Sequence, residues 1–126
     1  MNPPTIPDNV LQFIAERIDS VPQLEALLLL WENAQRSWTE DELAARIYVS
    51  RAAAAQILQS LQRQNLVTSE SARYQYNPQW DPTGQVMPEV AAAYRRHLVQ
   101  LATFIHSRAS TAVREFARAF DLKKDR

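Results

Sequence analysis

The apolar positions of this chain recur mostly three and four residues apart, the spacing that places side chains on one face of an α-helix. Val10, Phe13, Ile14 and Ile18 form the first such stripe, and Pro3, Pro4 and Pro7 before them make an extended lead-in. Asp8 stands where a carboxylate favours a helix start, so a first helix is predicted over about residues 8–19. Ser20 can cap a second helix, with Pro22 tolerated in its first turn. Leu24, Leu27, Leu28 and Trp31 line its buried face, and the pattern fades near Ala34.

Thr39-Glu40-Asp41-Glu42 spells a capping box, in which the Thr39 hydroxyl accepts from the Glu42 amide and the Glu42 carboxylate reaches back to the Thr39 amide. A third helix runs from there to about Tyr48 and buries Leu43, Ala44 and Ile47. Ser50 can cap a fourth through about Gln64, with Ala54, Ile57, Leu58 and Leu61 inward. Only Tyr48 and Val49 separate these two helices, which is helix-turn-helix spacing.

The period then changes. Leu66-Val67-Thr68 reads as a short strand, Arg73-Tyr74-Gln75-Tyr76 as its partner, and Ser69 to Ala72 as the turn between them. Turn residues crowd the stretch from Asn77 to Gly84, which reads as a hinge. Beyond Pro88 helical spacing returns to about Phe120, with a break expected near Ser107–Ser110, where Ser110 can cap a new helix. The predicted fold class is mainly α: a winged helix-turn-helix with a two-stranded wing over residues 1–81, then a C-terminal helical arm over 82–126.

Composition narrows the chemistry. At 126 residues, with 46% apolar and 22% charged side chains, the chain suits one folded domain. The absence of cysteine rules out disulfides, thiolate metal sites and cysteine nucleophiles. A single glycine, Gly84, leaves no glycine-rich phosphate loop. His97 and His106 lie nine residues apart, half a turn out of phase on one helix, and no nearby carboxylate pair completes a metal site with them. Three acids at Glu40, Asp41 and Glu42 fit the positive end of a helix dipole better than an acid–base pair. Trp31 and Trp38, near the start of the third helix, read as core, the other use being to line a small pocket. Neither enzymatic activity nor a cofactor is expected. The N-terminal residues lack the basic start and apolar core of a secretory signal, and Leu27–Trp31 is too short to cross a bilayer, so the expected compartment is the cytoplasm.

The run from Thr39 to Val67 carries a Thr cap, Glu42-Leu43-Ala44, a turn ending in Ser50, an alanine- and glutamine-rich helix, and Leu66-Val67 leading into the hairpin. Over about residues 22–77 this resembles the MarR-type winged-helix regulators of bacteria. The resemblance implies a DNA-binding transcriptional regulator acting as a homodimer, with the fourth helix reading a major groove. Its outward residues would be Arg51, Ala52, Ala55, Gln56, Gln59, Gln62 and Arg63. Gln56 and Gln59 would face adenine edges, Arg51 and Arg63 guanine or phosphate, and Arg73 would supply the wing's cation.

Charge keeps a second reading open. Fourteen basic and fourteen acidic side chains cancel overall, but residues 1–81 carry six against ten and residues 82–126 carry eight against four. Phosphate neutralisation drives DNA affinity, so a winged helix that holds a protein partner through the same face is the alternative. In the arm, Tyr94, Leu98, Leu101 and Ile105 are spaced four, three, four, and Ala112, Phe116 and Phe120 continue the stripe. That stripe either covers the chain's own core or pairs two copies. Arg95, Arg96, Arg108, Arg114, Arg118, Lys123 and Lys124 occupy the remaining surface, while alanines dilute the apolar face too far for a membrane partner.

Overall fold

In the computed structural model, residues 6–107 are described. Helix α1 (Asp8–Arg17) follows Pro7 and buries Val10, Phe13 and Ile14; it ends short of the expected residue 19 because Ile18 turns extended while staying fully buried. Helix α2 (Val21–Glu32) begins where Ser20 Oγ accepts from the Gln23 amide at 3.2 Å. It buries Leu24, Ala26, Leu27, Leu28 and Leu30, more than one face, because it lies in the middle of the fold. Helix α3 (Glu40–Ile47), α4 (Arg51–Arg63), α5 (Val86–Arg96) and the hairpin all pack on it.

The start of α3 is the capping box. Thr39 Oγ1 accepts from the Glu42 amide at 3.1 Å, and Glu42 Oε1 accepts from the Thr39 amide at 2.8 Å. Thr39→Ala is therefore expected to cost about 1 kcal/mol, read as a lowered midpoint in thermal or urea unfolding; an unchanged midpoint would mean water replaces the cap without loss. Helix α4 begins at a similar cap, Ser50 Oγ accepting from the Ala53 amide at 3.0 Å, and buries Ala54, Leu58 and Leu61.

Strands β1 (Val67–Glu70) and β2 (Arg73–Tyr76) pair antiparallel, with Val67 opposite Tyr76 and Glu70 opposite Arg73. The turn is two residues long, not the four expected from the sequence. Ser71 and Ala72 both have positive φ (52° and 62°), the geometry whose twist matches a right-handed ladder, so Ser69 and Glu70 stay paired. Trp38 adds a bridge on the other side of β2, its amide donating to the Tyr74 carbonyl at 2.7 Å and its carbonyl accepting from the Tyr74 amide at 2.8 Å.

A 3-10 turn at Pro78–Trp80 leads to buried Asp81, whose Oδ2 accepts from the amides of Val86 (3.0 Å) and Met87 (3.3 Å) and so starts α5. Helix α5 buries Met87, Val90, Ala91 and Ala93 and packs on α1 and α2. It stops at His97 (φ −134°), and helical backbone resumes over residues 98–107. This interruption at His97 is one the sequence does not predict; Ser107 is helical, and the rest of the break expected near Ser107–Ser110 lies outside the described residues. No glycine or proline marks the His97 interruption, so the local sequence carries no signal of it. Ser110, the stripe Ala112, Phe116 and Phe120, and the basic residues Arg108, Arg114, Arg118, Lys123 and Lys124 lie outside the described residues. No described helix is long and apolar enough to cross a membrane.

Candidate nucleic-acid interface

Helix α4 presents one uninterrupted exposed line. Ala52, Gln56, Gln59 and Arg63 follow one another at intervals of four, three and four, all exposed, opposite the buried Ala54, Leu58 and Leu61. Arg51 and Gln62 are exposed beside this line, and Ala55 is half-buried. The structure thus brings together the outward residues expected on α4.

Two residues that no sequence pattern singles out hold this helix in place. Gln23, buried at 2% exposure, accepts from the Asp19 amide at 2.6 Å and donates to Ser60 Oγ at 3.0 Å, pinning α4 to the start of α2. Arg17 donates to the Gln64 carbonyl at 2.9 Å and sets its guanidinium 5.8 Å from the centre of the Trp80 ring, holding the same C-terminal end of the helix. Between α4 and the start of α2 lies an open groove of about 600 Å³, lined by Asp19, Gln56, Gln59 and Arg63 among others. The partners of Gln23 and Arg17 are 37 and 47 residues distant in sequence, beyond any local pattern.

The cations are less available than their exposure suggests. Arg51 Nε lies 3.5 Å from Asp41 Oδ1 and 3.6 Å from Glu40 Oε1, at 70% side-chain exposure. A pair that exposed is worth at most about 1 kcal/mol, so Arg51 can exchange a carboxylate for another anion at little loss. Arg73 is held more firmly: Nε donates to Ser37 Oγ at 2.8 Å, and Nη2 to the Ser37 carbonyl at 3.1 Å and to Glu42 Oε1 at 3.2 Å. Its position ties the wing to the start of α3. Arg36 joins from the other side, 3.4 Å from Glu42 Oε2, with its guanidinium 3.6 Å from the centre of the Trp38 ring. The Thr39 amide, then Arg73 and Arg36, hold the Glu42 carboxyl below its ordinary value against the opposing effect of desolvation.

The residues expected to pair two copies do not share one exposed face. Tyr94 on α5 is half-buried, and burial, then the Glu25 carboxylate beside it, push its phenol up. Beyond the His97 interruption, Leu101 and Ile105 are wholly covered within the chain itself, at 0% exposure. Leu98 (44%) and its neighbour Val99 (78%) remain in solvent. Trp38 is core, at 1% exposure, and Trp31 packs half-buried against that core. Among the described residues, no group of three His, Asp or Glu side chains is placed to hold a metal ion.

No family model matches the chain, and no curated protein matches it. Among solved structures it is similar to ZitR of Lactococcus lactis, at 22% identity over 81% of this chain and 74% of that one, with a TM-score of 0.48. It is also similar to the adhesin competence repressor AdcR of Streptococcus pyogenes, at 22% identity over 90% of this chain and 91% of that one, with a TM-score of 0.41. The winged helix-turn-helix architecture rests on the chain's own geometry: a capped helix, a short turn, an outward-facing second helix and a two-stranded hairpin tied beside them.

Proposed function

We propose that this chain is a DNA-binding transcriptional regulator of the MarR-like winged-helix type, acting as a homodimer in the cytoplasm. The observation that carries the reading is the exposed line Ala52, Gln56, Gln59, Arg63 on a helix pinned through its last turn and C-cap. Gln side chains can make paired hydrogen bonds to adenine, and an alanine methyl can pack on that of thymine, so the middle of α4 carries base-reading groups. Arg51, Arg63 and Arg73 serve the phosphates or guanines around them. Residues 82–126 are assigned to an arm beside the winged helix, and among its described residues Leu98 and Val99 are the large apolar side chains exposed to a second copy.

Titration of the chain against duplex DNA at several salt concentrations tests this. Binding should weaken as salt rises, and Gln56→Ala with Gln59→Ala should erase sequence preference at a loss of about 1–3 kcal/mol for each paired contact, with helical circular dichroism intact. Unchanged preference in the double variant would remove α4 as the reading helix.

A second reading has its own observation. Arg51 and Arg73 both face carboxylates, and residues 6–107 carry eight arginines against eleven Asp and Glu. A protein partner on the same face would suit that balance, and failure to bind any duplex even at low salt is its signature.

A further inference from the structure

We infer that Tyr48 is a contact residue for the sugar-phosphate backbone of duplex DNA, through its phenol hydroxyl. This rests on the DNA-binding reading of α4 and adds to it a residue that neither the helix line nor the wing contains.

Two independent features of Tyr48 point away from a role in folding. Its backbone is left-handed (φ 59°, ψ 47°), closing α3 while the Val49 amide donates to the Ala44 carbonyl at 3.1 Å. This is the helix-end position that glycine or asparagine ordinarily fills, because a Cβ there crowds the following carbonyl. Just past the end of α4 the same conformation falls to Asn65 (φ 63°), a residue that tolerates it. The second feature is exposure: the Tyr48 side chain stands 93% in solvent, the highest among the exposed large hydrophobic residues described. The left-handed backbone costs stability, and the core receives nothing from this ring in return.

Position supplies the use. Tyr48 lies in the turn between α3 and α4, two residues before the Ser50 cap. When such a motif docks, the second helix enters the major groove and the first crosses the backbone, so the turn joining them lies beside a phosphate strand. The nearest cation at this end, Arg51, must leave Glu40 and Asp41 to reach a phosphate, whereas the Tyr48 side chain is already in solvent. A phenol is a neutral donor with enough reach for a phosphate oxygen and no need of a counter-charge. Contact through it adds affinity without releasing a counterion, which separates its effect from that of an arginine.

The experiment uses the full chain and a fluorescein-labelled duplex of random sequence about three helical turns long, because a phosphate contact carries no sequence information. Tyr48→Phe should lower affinity about tenfold, the effect of removing a hydrogen bond to a charged group, with the slope of log K against log salt unchanged. Tyr48→Gly should lose the same affinity yet melt about 3 °C higher, since glycine relieves the left-handed strain. A Tyr48→Phe chain that binds like the wild type overturns the contact while leaving the DNA-binding reading standing. Tyr48→Gly melting lower would overturn the premise that the ring is idle in the fold. A wild-type chain that binds no duplex at low salt overturns both readings together.

Discussion

Replacing Leu101 by glutamate is expected to unfold the chain, not to release intact monomers from a dimer. Leu101 has no exposed surface and belongs to the same core as Met87, Val90 and Ile105. A carboxylate there either stays charged without a partner or takes up a proton in an apolar site, and the leucine's own burial is lost as well. The sum is on the order of 4 kcal/mol or more, a large share of the 5–15 kcal/mol that holds a typical domain folded. Circular dichroism should show a collapsed melting transition. Val99→Glu, at a residue 78% exposed, is the matching control and should melt within a degree or two of the wild type. Sedimentation of that control then reports on pairing through the exposed side of this helix without disturbing the core. A Leu101→Glu chain that melts normally would mean the C-terminal helix does not contribute to the core at all.

Trp38→Ala is expected to be the other severe substitution, at about 3–5 kcal/mol. The indole is 1% exposed, lies under the Arg36 guanidinium, and belongs to a residue whose backbone pairs with Tyr74 in both directions. Removing it empties the space between the start of α3 and the wing. Urea unfolding should show a lowered midpoint with the slope retained, since the surface exposed on unfolding hardly changes. A loss under about 1 kcal/mol would mean that the ring merely covers surface and that the backbone bridge and Arg73 hold the wing without it.

The features legible in the sequence are those whose physics is local. Ser20, Thr39 and Ser50 each accept from an amide three residues on, so single residues and their neighbours place three helix starts. The strands show because their composition and spacing change together at Leu66. The face of α4 is legible for the same reason, being a periodicity within one helix.

The rest is decided at a distance or by conformation. Asp81 starts α5 from five residues upstream, across a loop, where no capping motif is written. The wing turn is built from Ser71 and Ala72, neither of which advertises positive φ, so the pattern alone leaves β1 two residues short. Arg51 and Arg73 are evident as cations, but the carboxylates that engage them come from α3, ten and thirty-one residues away at Asp41 and Glu42. The left-handed geometry of Tyr48 is likewise invisible in a residue type that seldom adopts it.

Glu42 joins regions of the molecule that a motif diagram draws separately. One carboxylate accepts from the amide that starts α3, from the arginine of β2 and from the arginine covering Trp38. A hairpin of four-residue strands is too short to be stable alone in water, yet this one is fastened along the outer edge of β2 by the Trp38 bridge and the Arg73 contacts. The wing therefore meets any partner already shaped, and little conformational entropy remains to be surrendered there at the moment of contact. Calorimetry of complex formation should accordingly show a heat-capacity change set by the surface that becomes dry, without the larger excess that accompanies a segment folding as it binds.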